Sequence, residues 1–305
     1  MQTFQVHILG SASATPVPGR HQTAQVLQCQ DTLFLIDCGE EVQRGLLQHK
    51  IRWRNIKGIF ISHLHGDHYL GLMGLLNTMS MHGRSDALPL FGPPKLWDIL
   101  QLHFEVSATK LNFALDFCPL EMGKSYLLLD TPQLSVQTIP HIHRVPCQGF
   151  VFREKHPTKK LIVEKIQDIP PQARQQFQLG QDWTDADGRS YSYTDFTYPD
   201  PPSRSYAFCS DTRYNEEIVP IIEGVDLLYH EATFLESEHE KAHQTFHSTA
   251  KEAALLAQKA HVGKLLIGHF SARLRDLQPL LDEARTVFEQ TYLAEEGKIF
   301  EIGEK

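Results

Sequence analysis

Paired cysteines are missing from this chain. The five present, Cys29, Cys38, Cys118, Cys147 and Cys209, are odd in number, scattered, and never in a CxxC pair. That argues against both a disulfide framework and a thiolate zinc site, and leaves buried free thiols in a reducing compartment. Long hydrophobic runs are missing too, since none approaches the roughly 18 residues of a membrane span. The opening MQTFQVHILG lacks the basic start, apolar stretch and small-residue cleavage site of a leader, and reads as a first strand. A cytoplasmic protein without a membrane partner is expected. Positive charge is also scarce: the formal net charge of −8, taken as an average, argues against a nucleic-acid partner. What remains is ordinary. With 305 residues, 41% apolar and 22% charged, the chain is expected to form a single domain, 1–305.

Short β-rich runs recur at 4–9, 24–29, 32–39 and 56–63, and again at 133–140, 148–153, 205–211, 225–232, 264–270 and 298–302. Helical spacing lies between them, most clearly over 248–261, where Ser248 is placed to cap, and over 276–290. Strands with interspersed helices imply an α/β layered domain. One segment breaks the pattern. Residues 153–203 are polar, carry six prolines, and begin with six Lys or Arg against three acids over 153–174. A basic arm on an acidic protein reopens the nucleic-acid question, although charge alone describes a solvated hairpin equally well.

The chemistry concentrates in IFISHLHGDHYLGLMGLL, residues 59–76, where His63, His65, Asp67 and His68 crowd between apolar runs. His63 and His65 are two apart and share a side of an extended backbone, while Asp67 and His68 follow the turn at Gly66. Imidazoles and a carboxylate without thiolates suit zinc at a catalytic site with an open position. A solvated histidine loop would sit in a polar tract, whereas apolar flanks imply burial, and buried polar groups need partners. Further ligands are expected at other strand ends: His143, with His141 as a rival two residues away, Asp211 and His269.

HLHGDH resembles the HxHxDH motif of the metallo-β-lactamase superfamily, and the order of the later histidines and aspartate covers 63–269. Within it, LGSASATPVPGR (9–20), HRVPCQGF (143–150), FCSDTR (208–213), HEATF (230–234), HSTA (247–250) and GHFSARL (268–274) are similar to the ribonuclease Z branch, the tRNA 3′-end processing endonucleases. The resemblance implies a four-layer αββα sandwich with an inserted flexible arm, and two Zn2+ ions per chain, Mn2+ or Fe2+ being open on ligand type. It favours His143 over His141. It assigns His63, His65 and His143 to one ion, Asp67, His68 and His269 to the other, and Asp211 as the bridge.

Asp67 is also the implied proton acceptor for the attacking water, and His247, oriented by Glu231, the implied general acid. Ser271 and Arg273 would contact phosphate. Arg20 in the first loop, and Lys159 and Lys160 on the basic arm, would bind the substrate, precursor tRNA. A homodimer without nucleotide cofactor is expected. The sequence departs from the family pattern twice: IPPQARQQF at 169–177 stands where the arm carries Gly-Pro, and His21 where the first loop carries Asn. The competing expectations are another hydrolase of this superfamily acting on small phosphodiesters, lactones or thioesters, and an RNA-binding relative without turnover.

Overall fold

Alternation along the strands decides the architecture. In β12 (Ser205–Cys209), Tyr206 and Phe208 face one apolar cluster while Ala207 and Cys209 face another. The same period of two runs through β9 (Gln148–Glu154), with Phe150 and Phe152 on one side and Val151 on the other. Strands apolar on both faces must be covered on both. The computed structural model, which describes residues 3–303, meets that demand with two seven-stranded sheets packed face to face and helices outside each.

The first sheet is built from β1 (Phe4–Gly10), β2 (Ala24–Cys29), β3 (Thr32–Ile36), β4 (Ile56–Phe60), β5 (Leu88–Gly92) and β6 (Leu115–Pro119) in that order, with β16 (Ile299–Glu301) beyond β1. The second runs from β7 (Leu127–Asp130) and β8 (Leu134–Pro140) through β9 and β12 to β13 (Leu227–Glu231), β14 (Lys264–Gly268) and β15 (Thr291–Leu293). Parallel pairing within β3–β6 and within β12–β15 brings neighbouring strand ends to one edge. Between the sheets lies an aromatic seam, in which Phe60 stacks on Phe91 at 4.7 Å and meets Phe150 and Phe152 edge-on.

Outside the first sheet pack α1 (Val42–Gln48), α3 (Gly71–Met81) and α4 (Lys95–Val106), with the single turn α2 (Gly66–Tyr69) just before α3. Gly71 allows α3 to start against the Gly39 carbonyl, 2.1 Å from where a Cβ would stand. Outside the second sheet lie α6 (Val219–Ile222), α8 (Ala250–Lys259) and α9 (Gln278–Arg285); α5 (Pro171–Gln178) belongs to the arm, and α7 (His239–Thr245) precedes α8.

Two expectations are revised. The cap of α8 is Thr249, whose hydroxyl accepts from Glu252 N while Glu252 accepts from Thr249 N; Ser248 instead donates to the Thr212 carbonyl. The stretch 276–290 is helical only from Gln278 to Arg285.

The segment 153–203 has a core of its own. Phe177 is fully buried and stacks on Phe196 at 4.7 Å, and Trp183 meets Tyr191 across the hairpin of β10 (Trp183–Thr184) and β11 (Ser190–Tyr191). Its polar average concealed six aromatic residues, these four among them. Its base is pinned by Arg204, which donates to both Glu154 oxygens at 2.7 and 2.6 Å.

Candidate metal centre

Strand ends supply the site. Just past β4 the chain places His63 and His65, and α2 opens with Asp67 and His68. The segment after β8 brings His143, the end of β12 brings Asp211, and β14 is followed by His269 in a left-handed conformation, φ 58°. His63, His65, His143 and Asp211 could hold one metal ion and Asp67, His68 and His269 a second, the donor atoms within each group lying within 4.8 Å of one another.

Asp211 stands between the groups. Its Oδ2 is 3.6 Å from His63 Nε2 and 3.7 Å from His143 Nε2, and its Oδ1 is 3.4 Å from His68 Nε2 and 3.2 Å from His269 Nε2. His65 Nδ1 lies 3.1 Å from both His63 Nε2 and His143 Nε2. Asp67 Oδ2 lies 3.4 and 3.5 Å from the Nε2 atoms of His68 and His269. Asp211 Oδ1, His68 Nε2 and His269 Nε2 are buried without a hydrogen-bond partner among the described residues. Lone pairs converging on common points are what divalent cations require, so the donor set fits two of them.

The far nitrogens of His63, His68, His143 and His269 are anchored, which leaves the near ones free to coordinate. Asp37 Oδ2 accepts from His68 Nδ1 at 2.7 Å and from the Ser62 hydroxyl at 2.9 Å, while Ser62 Oγ lies 3.0 Å from His63 Nδ1. His143 Nδ1 donates to the Phe246 carbonyl at 3.0 Å. Phe246 is itself held in a left-handed turn, φ 62°, with the Arg213 guanidinium 3.6 Å over its ring. His269 Nδ1 lies 2.9 Å from Thr233 Oγ1, and the Ala14 N–H donates to Asp67 Oδ2 at 2.7 Å.

Burial, reinforced for His63 by neighbouring imidazoles, holds His63, His65 and His143 below the ordinary histidine pKa, in the neutral form that binds metal. His68 goes the other way: burial opposes its charge, but Asp211, Asp67 and Asp37 outweigh it and raise its pKa. Burial likewise opposes ionisation of Asp67 and Asp211, yet His68 and His269 hold both well below the usual carboxylate range.

His247 and Glu231 meet beside this centre. His247 Nδ1 lies 2.7 Å from Glu231 Oε1, and Glu231 Oε2 accepts from the Thr233 amide and hydroxyl at 3.1 and 2.8 Å. Burial disfavours charge on His247, but the Glu231 carboxylate outweighs it and pushes the pKa up to about 9. His141 is excluded from both groups: it is buried beside Cys147 and Gly149, and burial takes its pKa down to about 3.

The remaining expected residues are more dispersed. Ser271 and Arg273 line a cavity that adjoins the centre at His247. Arg20 donates to the Leu274 carbonyl at 2.5 Å and thereby ties the first loop to the segment carrying Ser271 and Arg273. On the arm, Lys159 pairs with Asp200 and Lys160 lies over the Tyr198 ring. His21 bridges two carboxylates, with Nε2 2.8 Å from Glu41 and Nδ1 2.5 Å from Glu296. Sequence reasoning missed Asp37, Ser62, Thr233 and the Phe246 carbonyl. Only Asp37 carried a signal, as a lone acid closing the apolar run TLFLI.

Over 304 residues the chain is 46% identical to ribonuclease Z of Cytophaga hutchinsonii, covering 99% of the chain and 97% of that relative. Ribonuclease Z of Porphyromonas gingivalis is 41% identical over 298 residues, covering 97% and 98%. The chain belongs to the ribonuclease Z family. Residues 4–163, just over half the chain, also match the family model described as Anti-Pycsar protein Apyc1, so the chain falls within that family too. Among solved structures, the short form of human tRNase Z superposes with a TM-score of 0.70 at 26% identity, covering 97% and 98% of the two chains. The metallo-β-lactamase fold protein YhfI of Bacillus subtilis, 20% identical with a TM-score of 0.70, shares the fold. The chain is thus a hydrolytic enzyme on the metallo-β-lactamase fold, as its motifs imply.

Proposed function

We propose that this enzyme cuts precursor tRNA after its mature 3′ end, leaving a 3′-hydroxyl on the tRNA and a 5′-phosphate on the trailer. The observation that carries the reading is Asp211 facing a separate histidine group with each of its two oxygens, with the His247–Glu231 pair alongside. His63, His65 and His143 would hold one zinc ion, Asp67, His68 and His269 the other, and Asp211 both. Bound there, such ions lower the pKa of water and neutralise charge on the phosphate. Mn2+ and Fe2+ accept the same donors.

The chain's own groups complete the reaction. Asp67, ionised and fixed by the Ala14 N–H, takes the proton of the attacking water. His247 keeps Nδ1 on Glu231, so Nε2 is the nitrogen that protonates the departing 3′-oxygen. Ser271 and Arg273 contact phosphate oxygens, and the arm at 153–203 grips the tRNA body through backbone charge. A homodimer, which rests on family resemblance, and a cytoplasmic location, which rests on scattered unpaired cysteines suited to a reducing compartment, belong to the same proposal. Light scattering tests the dimer.

Incubating the purified protein with precursor tRNA, mapping both new ends and determining metal on the same sample tests the activity. Intact precursor at full metal loading sinks it. Preference for a chromogenic phosphodiester over tRNA, unchanged on deleting 155–178, would favour the small-substrate alternative.

A further inference from the structure

Two cavities meet at His247, Arg144 and the Ser13–Thr15 loop, which line both. The larger, about 510 Å³, contains Asp67, Asp211 and His269 together with Glu40. The smaller, about 330 Å³, continues from these shared residues to Phe234, Lys241 and Arg273; Arg144, Lys241 and Arg273 line it, and no carboxylate does. In a chain of net charge −8 such a sign reversal beside the reacting centre selects for an anion. Arg144 is exposed, borders both cavities, and has no hydrogen-bond or ion-pair partner among the described residues. Lys241 lies 4.8 Å from the Phe234 ring and pairs with Glu238 at 2.8 Å, a half-exposed i,i+3 pair of the kind that exchanges readily for a stronger anion.

In-line displacement decides what the smaller cavity receives. Water forms its bond to phosphorus on the Asp67 side and gives up a proton there; the P–O3′ bond breaks on the opposite side, where the oxygen takes the His247 proton. The nucleotide that owns this oxygen must therefore extend past His247, away from Asp67. We infer that the smaller cavity is the subsite for the 3′-terminal nucleotide retained by the tRNA, with Arg144 and Lys241 holding the phosphate on its 5′ side. This rests on the endonuclease reading above and adds to it which half of the substrate lies where.

Precursor tRNAs carrying one neutral methylphosphonate test the assignment. At the linkage 5′ of the retained terminal nucleotide, the substitution should lower wild-type kcat/KM about tenfold, the scale of one lost charge-assisted contact. Lys241→Ala and Arg144→Gln should each show a similar loss on unmodified precursor, with metal content unchanged, and little further loss on that modified one. Lys241→Arg should recover most of the rate. A methylphosphonate in the first trailer linkage beyond the cut should add its full effect to both variants. Additivity at the upstream linkage, or its absence at the trailer linkage, overturns the subsite alone. Wild-type protein that leaves unmodified precursor intact overturns the endonuclease reading together with it.

Discussion

His247 shows how one residue acquires a task from its neighbours. With Nδ1 committed to Glu231 and a pKa of about 9, it carries its proton at neutral pH. His247→Ala should lower turnover of precursor tRNA by roughly 10²–10⁴-fold with two metals per chain retained by elemental analysis; loss of a metal would instead make it a ligand. The sign of the pH effect follows from the raised value. The proton is held below the ordinary 6.5 and lost as pH rises through about 9, so the tRNA-cleavage rate should fall on an alkaline limb near 9. Glu231→Gln removes the charge that raises the pKa and leaves burial, which lowers it; the limb should move towards neutral pH in a pH–rate profile. Asp37 works one layer further out, orienting His68 directly and His63 through Ser62. Asp37→Ala should weaken metal binding about 10–100-fold in a competition titration with a chelator.

Elements differ in how openly the sequence declares them. β9 and β12 announce themselves through Phe150, Phe152, Tyr206 and Phe208, because strands covered on both faces read as apolar runs. β7 does not, since Leu127 and Asp130 are exposed and its two central leucines only half-buried. The arm misleads by composition: its few aromatic residues fold it, while its many polar ones set the average. Its base is tied to the second sheet by the Glu154–Arg204 clamp and by the Lys155 N–H on the Gln133 carbonyl. Deleting 155–178 should raise the Kd for precursor tRNA and flatten its dependence on salt, with small phosphodiesters cleaved as before. Unchanged tRNA affinity in a binding titration would refute the arm's role.

At the scale of the molecule, the centre joins the two sheets. His63, His65, Asp67 and His68 come from the first, and His143, Asp211 and His269 from the second. Cations held between them would add a cross-link to halves that also meet through the apolar seam and through hydrogen bonds such as Tyr206 to Gln25 and the Gln148 N–H to the Ser62 carbonyl. Exhaustive chelation should therefore lower Tm by several degrees, and added Zn2+ should restore it in a calorimetric scan, because a ligand that binds the folded state stabilises it by mass action. An unchanged Tm would place the ions outside the load between the sheets.

Ten of the strand runs, the cluster at 63–68, and Asp211 and His269 as candidate ligands were legible in the chain itself, since apolar period and residue chemistry are local properties, whereas His143 was separated from His141 only by family resemblance. Family motifs supplied the pairing of Glu231 with His247. Tertiary structure alone decided the rest: that Asp37 steadies two candidate ligands, that a backbone carbonyl of Phe246 orients His143, that Arg20 props a loop, and that Arg144 and Lys241 share a cavity. These are meetings of groups tens to hundreds of residues apart, often through backbone atoms that every residue carries, and no local pattern marks which of them will be used.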